Sequence, residues 1–205
     1  MGALAGGVSL VGLLVATLAG LSVGAAPAIP AATVVQAEVV ELKREVDRAN
    51  ARLEQVQLRL ERMKAVVRYS GLYGVPADLA GAIHDIALAE GIHPSLGFQL
   101  VKVESSFKSG ARSNRGAIGY TQLLLNTARF YDAEITEQSL YDRDTNLRIG
   151  FRFLKDLLGQ FDEDLNMALL AYNRGPARVA DLLARGEDPA NGYAELVLRG
   201  VKKGS

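Results

Sequence analysis

The chain has 205 residues, which suits one compact domain with accessory segments. Lysine and arginine number 23 against 23 aspartates and glutamates, a balance that argues against an electrostatic nucleic-acid binder, which needs a basic excess or stripe. Cysteine is absent and only 2 histidines occur, so disulfides, thiolate nucleophiles and Cys- or His-rich metal sites are excluded.

Residues Ala3 to Ala37 carry no charge, and Leu4 to Ala26 is long enough for the roughly 20 apolar residues of a bilayer-spanning helix. A secretory signal peptide fits the same stretch, with small residues for cleavage at Val23-Gly24-Ala25 and Ala26-Pro27-Ala28, although no basic residue precedes the apolar run. Residues 1–30 are therefore read as a signal peptide or a transmembrane anchor. Both send the chain out of the cytoplasm, and the anchor fits better because a spacer follows.

Pro27 and Pro30 break that helix, and Ala31 resumes it. Val39, Leu42, Val46, Ala49, Leu53, Val56, Leu60, Met63 and Val67 then recur in alternating steps of three and four. This is the spacing of a coiled-coil seam, with charged and amide residues between. Valine at several a positions is compatible with two strands. The same pattern also serves a single amphipathic helix laid on the rest of the chain, or an antiparallel pairing within it. Residues 31–70 are read as a coiled-coil helix for spacing or homo-oligomerisation.

Ser70-Gly71-Leu72-Tyr73-Gly74-Val75-Pro76 reads as a breaker that opens a domain over residues 71–205. A helix from Pro76 or Ala77 runs through Leu79, Ile83 and Ile86 to a stop at Gly91. Pro94 opens the next one, which reaches Glu104. His84 and His93 read as structural or surface residues, His93 at a helix entrance. Asp144 is expected to cap a helix from Asn146 to Leu158, and Asp162 or Glu163 to open one through Tyr172. Gly175-Pro176 ends that helix and starts another. The class is all-α, with at most a small hairpin near Arg112 to Ile118.

Three stretches stand out for chemistry: Glu104-Ser105-Ser106-Phe107, Gly116-Ala117-Ile118-Gly119-Tyr120-Thr121-Gln122 and Ala171-Tyr172-Asn173-Arg174-Gly175. Glu104 follows the apolar run Phe98-Gln99-Leu100-Val101, whose low dielectric favours a neutral carboxylic acid and raises its pKa. Glycines at 116 and 119 allow a tight bend or a close approach to a ligand. Adjacent residues on a helix point in different directions, so of Tyr172 and Asn173 one can face a cleft while the other braces it, Tyr172 being the better candidate to approach Glu104.

Taken in this order, the stretches resemble the goose-lysozyme-like catalytic domain of bacterial lytic transglycosylases of the soluble lytic transglycosylase type, over about Pro76 to Val201. The resemblance implies a lysozyme-like helical domain with Glu104 as catalytic acid and Ser113, Gln122, Tyr172, Asn173 and Tyr193 around the substrate. It puts Ser113 beside the acid, holding it by hydrogen bonds, and Tyr193 at the closing edge of the cleft. It assigns Gln122 to the substrate or to cleft order. Tyr120 and Thr121 depart from the family's Leu-Met, the Met of which packs near the sugars. Asp142 and Asn146 match a structural segment read as helix capping.

The implied reaction cleaves the bond between N-acetylmuramic acid and N-acetylglucosamine in peptidoglycan. Glu104 acts first as acid and then as base, and a 1,6-anhydromuramoyl end forms. The family needs no metal or organic cofactor, and its place is the cell envelope, periplasmic or otherwise extracytoplasmic. A water-using muramidase would need a second carboxylate, for which Asp132, Glu134 and Asp142 are nearby. A weakly catalytic peptidoglycan-binding module of an envelope assembly is the alternative of another class.

Overall fold

The computed structural model describes residues 31–204, and the N-terminal apolar run, with its anchor and signal-peptide readings, lies outside them. The described residues form helices α1 (Ala31–Tyr73), α2 (Ala77–Ala89), α3 (Pro94–Ser105), α4 (Leu125–Arg129), α5 (Arg143–Gln160), α6 (Leu165–Arg174), α7 (Pro176–Ala184) and α8 (Tyr193–Gly204), with a single 3-10 turn at Ser139–Tyr141. No strand occurs among them. Isolated antiparallel bridges pair Ile118 with Arg112 and with Leu123, where a small hairpin was expected. None of these helices is long and apolar enough to cross a membrane.

The chain divides within α1 into two units, Met1–Leu53 and Glu54–Ser205. In the first, the apolar seam residues Val39, Leu42, Val46 and Leu53 are all exposed, and Glu41 pairs with Arg44 one turn on, at 3.2 Å. In the second, Val56, Leu60, Met63 and Val67 are exposed as well.

A different face of the same helix is buried in the second unit. Val66, Tyr69 and Tyr73 pack into the core, and the rings of Tyr69 and Tyr73 stack on Phe98 at 4.3 and 5.1 Å. Arg62, one turn earlier, grips the Asp85 carboxylate through Nε at 2.8 Å and Nη2 at 2.6 Å. The helix accordingly runs through Ser70-Gly71, where a break was expected. One helical glycine costs about 1 kcal/mol, less than the burial of two tyrosine rings returns. The stop comes at Gly74, whose φ of 64° is left-handed, with the Val75 N–H returning to the Ser70 carbonyl at 3.2 Å.

Most other ends follow the residues that punctuate them. Gly91 stops α2 at φ 73°, and Pro94 occupies the first turn of α3, capped by His93 Nδ1, which accepts from the Ser95 N–H at 3.3 Å. Two caps fall elsewhere. Asp142, not Asp144, caps α5, accepting from the Thr145 N–H at 2.9 Å, while Asp144 sits in the first turn bound to Arg143. Asp164, not Asp162 or Glu163, caps α6. The latter two adopt left-handed φ of 52° and 60° in the turn before it.

The main core joins α2, α3, α5, α6 and α8 around Phe98, Leu100, Phe151, Leu154 and Leu169. A smaller apolar cluster of Ile118, Leu123, Ala128, Ile135 and Leu140 supports the irregular segment between α3 and α5 against Ile149. That segment carries Ser113 and Gln122 of the candidate site residues.

Candidate active site

Helix α3 is buried on nearly every side, with Phe98, Leu100 and Val101 wholly inaccessible, and its last turn delivers Glu104 to the edge of the core. The helix ends immediately afterwards. Ser106 and Phe107 turn into left-handed φ of 51° and 62°, and the Ser106 N–H closes on the Lys102 carbonyl at 3.0 Å. The Ser105 hydroxyl lies 3.0 Å from the Val101 carbonyl and 2.8 Å from that of Tyr120, tying this helix end to the glycine loop.

The Tyr193 hydroxyl donates to Glu104 Oε1. Burial pushes the Glu104 carboxyl up to about 7, against the lowering effect of this bond, which favours the carboxylate. Tyr193 opens α8, and its backbone N–H is accepted by Asn191 Oδ1 at 3.2 Å. Burial, and then the Glu104 charge, hold the phenols of Tyr172 and Tyr193 well above their ordinary value, so both keep their protons near neutral pH.

A cleft of about 330 Å³ opens over Glu104, and Ser113, Gln122, Tyr172 and Asn173 lie in its walls. Glu104 is the only aspartate or glutamate among its lining residues. Tyr193 is not among them and reaches the acid from outside that lining. Leu124, Thr127 and Phe153 add a less polar side to the wall.

Each motif residue has defined contacts. The Ser113 hydroxyl accepts from the N–H groups of Arg115 and Ala117 at 3.3 and 3.0 Å and makes no hydrogen bond to Glu104, so it shapes the loop rather than holding the acid. Gln122, at φ 50°, donates Nε2 to the carbonyls of Ala111 and Gly119 at 3.2 and 2.9 Å. The Tyr172 hydroxyl donates to the Thr121 carbonyl at 2.9 Å. Asn173 Oδ1 accepts from Asn191 Nδ2 at 2.9 Å, linking α6 to the turn before α8.

Asn146, which sequence reasoning placed with helix capping, has a larger role. It is wholly buried. Its Oδ1 accepts from the Thr121 N–H and hydroxyl, both at 2.8 Å, and its Nδ2 donates to the carbonyls of Ile118 and Leu140, both at 2.9 Å. All of the amide's strong positions are used, which fixes the loop to α5. A Cβ on Gly119 would stand 2.4 Å from Asn146 Nδ2, and one on Gly150 2.3 Å from Thr121 Oγ1, so both glycines are needed for this approach. Thr121 is inaccessible and does not line the cleft. No spacing rule marks Asn146, because its partner lies 25 residues away. Arg115 and Arg174, also in the cleft wall, carry no motif signal beyond lying in or beside the quoted stretches.

A model of the family described as Transglycosylase SLT domain matches residues 81–191. Peptidoglycan transglycosylase gp16 of Escherichia phage T7 is 31% identical over 110 residues, which are 52% of this chain and 8% of that protein. Among solved structures, an inactive glutamate-to-glutamine mutant of the lytic transglycosylase Slt from Pseudomonas aeruginosa is similar with a TM-score of 0.51 at 28% identity, over 60% of this chain and 22% of that one. The 70 kDa soluble lytic transglycosylase of Escherichia coli gives a TM-score of 0.54 at 23% identity, over 63% of this chain and 24% of that one, a likeness of fold. The chain spans less than a quarter of the length of each of these relatives.

Proposed function

This chain belongs to the transglycosylase SLT domain family, and from that membership we propose that it is a peptidoglycan lytic transglycosylase. One observation carries the reading: the sole carboxyl group lining the cleft belongs to a partly buried glutamate whose pKa is held up to about 7. Such a group is present in both protonation states near neutral pH, as a residue serving as acid and then base requires.

In the proposed reaction Glu104 gives its proton to the oxygen between the muramoyl and glucosaminyl residues, and the C1–O bond breaks. The acetamido oxygen of the muramoyl residue supports C1 as charge develops there. The Glu104 carboxylate then takes the proton of the muramoyl 6-hydroxyl as that oxygen closes on C1, leaving a 1,6-anhydro end and the acid restored. No water is consumed, which fits a cleft with one carboxylate. A water-using muramidase would place a second carboxylate beside the substrate. Asp132, Glu134 and Asp142, considered for that part, do not line the cleft.

Ser113, Gln122, Tyr172, Asn173 and Tyr193 are the proposed supports. Tyr193 holds the acid, Tyr172 and Gln122 hold the loop, and Asn173 offers its Nδ2 toward the substrate. The Pseudomonas relative is inactive with a glutamate changed to glutamine, in line with the role given to Glu104. The proposed site of action is the cell envelope, with α1 as a spacer that self-associates through its exposed seam and residues 1–30 as leader or anchor.

The test is digestion of purified peptidoglycan by the whole chain and by its Glu104→Gln variant, with products read by mass spectrometry. Anhydromuramoyl ends that depend on Glu104 are expected. Reducing ends heavier by one water would move the assignment to a hydrolase, and wild-type rates from the variant would end the role of Glu104.

A further inference from the structure

Arg115 and Arg174 stand in the wall of the cleft that holds Glu104, and both also line an adjoining polar hollow of about 410 Å³. Asn173 is shared in the same way. The hollow is completed by Asn191 and Arg178, and no carboxylate lines it. Several other arginines in this domain face acids: Arg62 binds Asp85, Arg112 binds Glu137, Arg143 binds Asp144, Arg152 binds Glu90 and Arg185 binds Asp181. Arg178 is likewise held by Asp181, at 3.1 Å. Arg115 and Arg174 have no such partner among the described residues. The Arg174 guanidinium meets only the Pro189 carbonyl, at 2.7 Å, and the Arg115 side chain makes no hydrogen bond or ion pair. Two uncompensated guanidinium groups in the wall of one cleft are a receptor for an anion, and their planar fork suits a carboxylate.

The sugar rings of the proposed substrate are neutral. Its carboxylates hang from the muramoyl lactyl group, either on that group itself or on the peptide attached to it. Resting on the glycan-strand reading of the cleft, we infer that Arg115 and Arg174 form a subsite for these carboxylates, so that the protein selects strands by their acidic substituents as well as by their sugars. Arg115 supplies a free charge, and Arg174 is held in place by the Pro189 carbonyl.

The experiment titrates the whole Glu104→Gln chain, which lacks the proposed acid, with three glycans of equal length. These are a neutral N-acetylglucosamine oligomer, peptidoglycan fragments stripped of peptide, and fragments that keep it. The acidic fragments are expected to bind about tenfold or more tightly than the neutral oligomer, in keeping with charge-assisted hydrogen bonds. Adding Arg115→Gln and Arg174→Gln should bring that ratio toward one, and adding salt should lower it. Arg115→Gln alone should lower it in part and breaks no side-chain hydrogen bond or ion pair within the described residues, so a loosened loop at Pro189 cannot explain its effect. Replacing both by lysine should restore part of the preference. Stripped fragments as favoured as intact ones identify the lactyl carboxylate, and preference for the intact ones identifies the peptide. A ratio unchanged in the double variant, or no preference in the parent, overturns the subsite while leaving the glycan reading intact. Failure to bind any of the three overturns both.

Discussion

Glu104 titrates near 7 because its surroundings oppose one another. Burial disfavours the carboxylate, and the Tyr193 hydroxyl favours it. The acid form is spent above that value, so kcat/KM is expected to fall about tenfold per pH unit on the alkaline side, a slope a pH–rate profile reads directly. Tyr193→Phe removes the favourable bond, so the alkaline limb should move to higher pH. The rate on its plateau should fall by roughly tenfold or more as the acid loses its orientation. A variant with lower activity and an unmoved limb would mean that Tyr193 does not touch the working acid.

The same shift has a consequence for stability. The folded value, about 7, lies above the ordinary 4.5, so between these pH values the folded protein keeps a proton that the unfolded chain has lost. Stability should therefore be full below about 4.5 and decline as pH rises to 7, by at most about 3 kcal/mol. Glu104→Gln removes this decline. Thermal unfolding should show the variant gaining several degrees on the wild type at pH 8 and little at pH 4. An equal offset at both would refute the buried-acid account. At this scale Glu104 was legible because its apolar run and its motif are both local. The orientation of Tyr172 toward the Thr121 carbonyl, and the capture of Glu104 by Tyr193, were not, since each joins residues far apart in the chain, 51 and 89 positions respectively.

At the scale of elements, the site is a loop held between three helices. Ser105 ties it to α3, Asn146 to α5 and Tyr172 to α6. Asn146 is the hinge of this arrangement, since its removal would leave the buried Thr121 N–H and the Leu140 carbonyl without partners, the Ile118 carbonyl keeping only the Leu123 N–H. Unsatisfied buried groups cost about 1–3 kcal/mol each, so Asn146→Ala should destabilise the domain by about 3 kcal/mol or more. It should also reduce kcat, although the residue is absent from the cleft. Denaturant titration and steady-state rates check the pair of effects, and a stable but inactive variant would point to a different role. Helix starts marked by proline, such as Pro94 and Pro176, were readable because proline fits only the first turn. The caps of α5 and α6 were not, because several acids compete at each start and only the fold decides which carboxylate meets a free N–H.

At the scale of the whole chain, α1 presents two faces with different obligations. Val66, Tyr69 and Tyr73 belong to the domain core, whereas Val56, Leu60, Met63 and Val67 stay exposed on the neighbouring stripe. The heptad spacing revealed the second stripe, but the first is short and aromatic and gave no periodic signal in the sequence. Trimming the chain to residues 75–205 would remove both tyrosines from Phe98. Large aromatic losses cost about 3–5 kcal/mol each, so this fragment should unfold well below one that begins at Glu54. The exposed stripe makes the opposite prediction. Leu60→Glu with Met63→Glu places charge where a second copy would pack, yet touches nothing in the core. Light scattering at matched concentration should show the wild type heavier than one chain and the double variant reduced to one chain, with the same thermal midpoint for the domain beyond Glu54. A wild type already monomeric at tens of micromolar would remove self-association from the account and leave α1 as a spacer, with the exposed seam unexplained by a second copy.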